Sequence, residues 1–390
     1  MNRRSLILGA CIATAAVGCA LTFSPGDYGG NAVANGDPVG DSGPAPGADA
    51  DVMGDGAVTP TEAGPAAPTL HVLVVAGERD GSDTATSDVW SAPIDDAGEL
   101  GAFTYLPSGP VRGLRSAATI ADGRLLVATK TNTDRVVESA AFDGGTQLTW
   151  GTSLVANAPT AAFGQFFASS TFVAAGGYRT SNVDAGMGGT VTVTTYDQSF
   201  FLSAPDAGAY PKTISTVPSK LPVGLRDPSI VTSKNLVFVW GDGADATQRS
   251  KLYVGKVDPV TGATEITERG TITDPQAGKA HTPTTPIACA GEGHLFIAGG
   301  NSDVVITATI DETSGTVGTW KAGPKLPSML KGAGCAVWRG SLHLLGGTAG
   351  ATRTDAILSS TVAADGTMGA WVTSRRTLLS PRSNVFALTY

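Results

Sequence analysis

Six times between Leu70 and Tyr390 a short apolar run stops at a glycine-like break. The runs are "VLVVAG", "RLLVAT", "TFVAAGG", "LVFVWGD", "HLFIAGG" and "LHLLGG", breaking at Gly77, Thr129, Gly176, Gly241, Gly299 and Gly346. The mean spacing is about 54 residues, a period that belongs to radial or stacked repeat architectures. A chain so patterned must build one supersecondary unit per period and bury each unit against its neighbours. This recurrence excludes most other folds.

A second landmark keeps step with the first. After each break comes a turn followed by an aromatic or large apolar residue: "DDAGELGAF", "FDGGTQLTW", "PDAGAY", "PVTGATEI", "ETSGTVGTW" and "ADGTMGAW", closing at Phe103, Trp150, Tyr210, Ile266, Trp320 and Trp371. Asp-Gly and Gly-Gly pairs between short strand-like runs signal hairpins. A third landmark, as in "LPSGPVRGLRSAATIADG" and "LPSMLKGAGCAVWRG", is a Pro-rich loop, a basic residue, an apolar strand and a tight turn. Each period therefore holds four short strands and almost no helical periodicity. The expectation is an all-β fold, a six-bladed β-propeller over residues 70–390.

The two ends of that region complete the pattern. "SPRSNVFALTY", Ser380 to Tyr390, matches the strand preceding every other break, such as "GLRSAATIAD" at Gly113 to Asp122. The first unit starts abruptly at "LHVLVVAG" and lacks that strand. The C-terminal strand is expected to pair with Leu70 to Gly77, closing the ring and removing two open edges.

These motifs resemble the kelch family of propellers. The resemblance rests on the Gly-Gly ending one strand, the aromatic after a turn, and the "LP…R" before the next unit, and it covers about residues 70–390. The sequence departs from the pattern where Gly-Gly is missing from three repeats and where Ile266 replaces the aromatic.

Residues 1–18 have the proportions of a signal peptide: Arg3 and Arg4 precede an apolar stretch from Ser5 to Gly18, too short to span a bilayer. The stretch ends in "AVGC", which resembles the lipobox of bacterial lipoproteins and implies lipidation of Cys19. The competing match at Cys11 leaves too short an apolar core. With Ala20 following, the resemblance implies sorting to the outer membrane or cell surface. Residues 19–69 are rich in Gly, Pro, Ala and Asp, carry seven acidic residues and no Lys or Arg, and are expected to form a disordered tether. Its stretch "DVMGDGAVTPTE" misses the calcium-loop pattern at Met53 and Pro60. Of the net charge of −8, the leader supplies +2 and the tether −7, leaving −3 for residues 70–390. Such a surface lacks the basic surplus of a nucleic-acid binder.

Chemistry-bearing motifs are sparse. The histidines are His71, His281, His294 and His343, with no HExxH, no CxxC and no pair at ligand spacing. No cofactor and no metal are expected. Cys289 and Cys335 both fall in the innermost strand of neighbouring repeats, one residue out of step when aligned on the breaks, which points them to opposite faces unless a bulge intervenes. They are either a disulfide, which an extracytoplasmic compartment permits, or two buried thiols. Arg115, Arg226, Lys331 and Arg382 recur about eight residues before the inner hairpin turn. They could ring one mouth of the channel and hold an anion such as a uronic acid or acidic peptide. They could equally bond loop carbonyls and neighbouring blades. Two loops on that face, Glu78 to Ser87 and Tyr178 to Gly189, are long. The expected function is a monomeric, lipid-anchored binding or scaffold module recognising a protein or anionic glycan. The rival is a carbohydrate-active hydrolase or lyase with Asp80, Asp184, Asp227 or Asp242 around the mouth.

Overall fold

A computed structural model describes residues 70–75, 77–79, 86, 88–107, 114–130, 135–142, 148–155, 164–168, 171–176, 178–186, 189–196, 199–203, 215–243, 246–258, 264–282 and 285–390. The fold is all-β; the one helical element among these residues is the 3₁₀ turn Ala246–Ser250. Six larger antiparallel sheets follow one another along the chain. Sheet I holds Phe386–Thr389, Leu70–Val75, Val89–Ile94 and Thr104–Leu106 in that spatial order. Sheet II runs Leu114–Ala121, Arg124–Lys130, Arg135–Phe142, Leu148–Val155. Sheet III is Gly164–Ala168, Thr171–Ala175, Ser199–Ser203, Ser215–Lys220, and sheet IV is Leu225–Ser233, Leu236–Gly243, Lys251–Val257, Thr264–Thr271. Sheet V begins with Ile287–Gly291, His294–Ala298 and Val305–Asp311, onto which both Thr316–Val317 and Lys321–Ala322 pair. Sheet VI is Gly334–Trp338, Ser341–Leu345, Ile357–Thr361, Val372–Thr373.

The C-terminal strand does pair with the first: Val72 lies opposite Thr389 and Val75 opposite Phe386. Tyr390 completes the contact, stacking on His71 at 5.3 Å and sharing a 2.9 Å hydroxyl–hydroxyl hydrogen bond with Ser91. The first strands of the six sheets are mutual neighbours in cyclic order. Phe386–Thr389 adjoins Leu114–Ala121, which adjoins Gly164–Ala168, then Leu225–Ser233, Ile287–Gly291 and Gly334–Trp338, which returns to Phe386–Thr389.

Local chemistry explains the hairpins. Asp122-Gly123, Glu292-Gly293 and Arg339-Gly340 all take positive φ at both residues. That geometry suits two-residue turns whose twist matches the flanking strands.

The core lies between sheets. Val72, Trp90 and Phe103 of sheet I pack against Ala336, Trp338 and Ile357 of sheet VI. Leu236, Trp240 and Leu252 of sheet IV pack against Leu295, Ile306 and Trp320 of sheet V. Each fully buried side chain of this size contributes roughly 1.5–3 kcal/mol.

The glycine two residues before Phe103, Trp320 and Trp371 has a steric cause. Gly101, Gly318 and Gly369 donate their N–H to third-strand carbonyls of Pro93, Thr309 and Thr361 at 2.8, 2.8 and 2.9 Å. A Cβ at Gly101 would lie 2.6 Å from the Pro93 ring, so the fourth strand crosses too closely for any side chain. The aromatics then turn toward the preceding sheet. Trp371 donates to the Pro324 carbonyl at 2.9 Å, and Trp150 makes the same link to Pro107 at 3.0 Å. Tyr210 lies outside the described residues.

Candidate functional site

The breaks and the segments leading into each first strand lie at one end of the sheets. Of the three Gly-Gly breaks, the two whose second glycine is described use it as a donor. Gly300 donates to the Leu330 carbonyl at 2.8 Å and Gly347 to the Arg382 carbonyl at 2.6 Å. All four glycines have positive φ. A Cβ at Gly346 would sit 2.8 Å from the Arg382 oxygen, so only glycine lets the break touch the next unit. Leu330 and Arg382 are therefore equivalent positions, and both are buried.

This equivalence corrects the reading of Arg382 as a ligand-binding cation. Its side chain is 0% exposed. The guanidinium donates to the Asp88 carboxylate and the Thr86 hydroxyl, and Nε donates to Ser380 Oγ at 3.2 Å. Its carbon lies 4.8 Å from the centre of the Trp90 ring, a cation–π contact strengthened by desolvation. Beside it, Arg353, in the short hairpin between the second and third strands of sheet VI, donates to Glu78 Oε2 at 2.9 Å and to Ser383 Oγ at 2.8 Å. The backbones of Glu78 and Arg79 pair with Ser383 and Arg382. Two ion pairs, one with a fully buried arginine and one partly buried, thus fasten the C-terminal segment and the hairpin within sheet VI to the segments around the break of sheet I.

Lys331 occupies the next register position. There it pairs through its backbone with Thr348 and leaves its ammonium in solvent. Alignment of Lys331 with Arg382 is thus one residue off, and in an extended segment that reverses the side. Arg115 lies opposite Thr129 and Arg226 opposite Asp242 in their sheets. The side chains of Arg115, Arg226, Asp184, Asp227 and Asp242, and the whole of Asp80, lie outside what the structure describes. The segment expected as a long loop from Tyr178 is a hairpin, Tyr178–Gly186 against Gly189–Tyr196.

Cys289 and Cys335 are joined as a disulfide across sheets V and VI, with Cα atoms 5.8 Å apart. Being out of step argued against this bond only if the two faces were those of one sheet. Cys289 is opposite Phe296, which packs toward sheet VI with Val337 and Leu342. Cys335 is opposite Leu344, which packs toward sheet V with Ile287 and Ala298. Facing sheets meet through opposite faces, so the offset brings the sulfurs together.

The histidines are packing residues. His343 stacks on Trp338 with centroids 3.4 Å apart and shares a 2.8 Å hydrogen bond with Ser359. Burial pushes its imidazole down to about 3, against a small opposing effect of the Trp338 backbone. His294 donates Nδ1–H to the Glu292 carbonyl at 2.8 Å. Burial also lowers His71 and His281. Among the described residues no group of three His, Cys, Asp or Glu side chains is placed to hold a metal ion.

No family model matches this chain, and no curated protein matches it. Its fold is similar to a solved structure described as "Structure of YjhT", with a TM-score of 0.51 over 80% of this chain and 98% of that one, at 12% identity. That likeness concerns the fold alone.

Proposed function

We propose that residues 70–390 form a six-bladed β-propeller of kelch type, held at the outer membrane or cell surface by a lipid on Cys19. It works there as a binding or scaffold module that recognises a protein or an anionic ligand at the loop end. The observation that carries this reading is the cyclic adjacency of the six first strands, with the C-terminal strand completing sheet I. Closed radial sheets leave only short edges and hold their connecting loops on a stiff frame, which suits recognition. The ion pairs Arg382–Asp88 and Arg353–Glu78 stiffen that end further. Arg382 is thereby committed to the frame, and anion recognition rests on Lys331, Arg115 and Arg226.

The test is retention of the full chain on acidic polysaccharides at low and high salt. Salt-sensitive retention that weakens in the Lys331→Glu variant supports an anionic ligand at this end. Retention on none of them, together with no loss from the membrane fraction in Cys19→Ala, overturns the reading.

A further inference from the structure

A cleft of about 450 Å³ opens on the outer side of the junction between sheets I and VI, within the size range of small-molecule sites. Asp95 and Glu99, from the turn between the third and fourth strands of sheet I, and Arg375 and Arg376, just after the fourth strand of sheet VI, all line it. Ile94 and Leu100 supply apolar lining. The charged turns are fixed: Asp95 Oδ1 accepts the Glu99 N–H at 2.8 Å, and Ser374 Oγ accepts the Arg376 N–H at 3.0 Å.

Nearby surface cations are matched to carboxylates, as in Lys321–Asp365 at 2.8 Å, Lys325–Asp303 at 3.1 Å and Arg339–Asp96 at 3.2 Å. Arg375, Arg376 and Glu99 line one cleft, yet none of their charged groups has an ion-pair partner among the described residues. Opposite charges therefore share the cleft without closing on each other. A molecule that spans them needs an ammonium at the Asp95–Glu99 side, a carboxylate at the arginine side and a neutral, partly apolar body between. Guanidinium groups suit a carboxylate because they can bind it through two parallel hydrogen bonds.

We propose that this cleft binds short zwitterionic peptides, with the free amine toward Asp95 and Glu99 and the free carboxylate toward Arg375 and Arg376. A di- or tripeptide, roughly 7–10 Å long when extended, suits a cleft of this volume. The site is separate from the loop end and stands or falls independently of it.

The experiment is calorimetric titration of the full chain with the tripeptide Ala-Leu-Ala, its N-acetyl form and its C-terminal amide. Blocking either end is expected to weaken binding roughly tenfold. In Arg375→Ala/Arg376→Ala the free and amidated forms bind alike, and in Glu99→Gln the free and acetylated forms converge. Lys331→Glu leaves the affinity unchanged. All of these side chains are exposed, so the melting midpoint stays where it is. Absence of binding by a normally melting protein, or equal affinity for free and blocked peptides, overturns the proposal.

Discussion

Arg382 and Asp88 stand 294 positions apart in sequence, yet their side chains form a hydrogen-bonded ion pair that solvent does not reach on the arginine side. The same guanidinium rests on Trp90 and bonds Thr86. One side chain therefore ties the segment leading into the C-terminal strand to the segment leading into the third strand of sheet I. Its charge is spent inside the molecule.

Removing one member of a buried pair leaves the other charge without compensation, at a cost of about 3–5 kcal/mol. Arg382→Met is expected to lower stability by that order in denaturant titration. Adding Asp88→Leu should recover much of the loss, because the stranded carboxylate goes with it.

The Cys289–Cys335 bond closes a loop with a sequence separation of 46. The chain-entropy estimate for such a loop is about 4 kcal/mol. Reduction, or the double replacement by serine, should lower the melting midpoint while leaving the circular dichroism spectrum β-rich. Mass spectrometry of alkylated protein checks the bond directly, with no labelled thiol expected at either position.

His343 sets a pH dependence whose direction follows from burial. Its imidazole is pushed down to about 3 in the folded chain, against roughly 6.5 when unfolded. Between those values the unfolded chain binds a proton that the folded chain excludes. Stability is therefore lost as pH falls from about 6.5 toward 3, by up to about 1.4 kcal/mol per unit. Above that window the group is neutral in both states and contributes nothing. His343→Phe keeps a ring on Trp338 and should flatten the acid limb of a stability–pH curve relative to the parent.

Deleting residues 384–390 removes the partner of Val72 to Val75 and the buried side chains of Val385 and Ala387. The exposed edge of Leu70–Val75 is then open to other chains. A loss on the order of the net stability of an ordinary domain is expected. It should be visible as proteolysis within sheet I and as higher-order species on size exclusion.

The sequence was most readable where one residue type had one physical reason to be present. Gly101, Gly318 and Gly369 mark the close crossing of two strands, and Gly346 marks contact between units. Breaks and turns therefore located the sheets, and the unfinished first repeat pointed to the pairing of Phe386–Thr389 with Leu70–Val75. Facing was harder. Arg382 and Lys331 look alike in a spacing pattern but sit one register position apart, and the burial of one and exposure of the other follow from that step. For Cys289 and Cys335 the same limit left the disulfide and two free thiols both open, since strand alternation states which face a residue takes but not which neighbour lies across it. The hairpin Tyr178–Tyr196 was read as a loop because its first arm, Tyr178–Gly186, is polar and carries no apolar alternation, although Thr190 to Thr194 in the second arm does alternate Thr with Val.

The bridge between Val72 and Thr389 joins segments separated by nearly the whole of the described chain. Contacts this remote are slow to find, since a long loop must be ordered before any reward arrives. During that wait the strand Leu70–Val75 offers an adhesive margin to its surroundings. Pairing of Phe386–Thr389 with Leu70–Val75 is thus the natural late event of folding, and that margin stays open to other chains until it occurs.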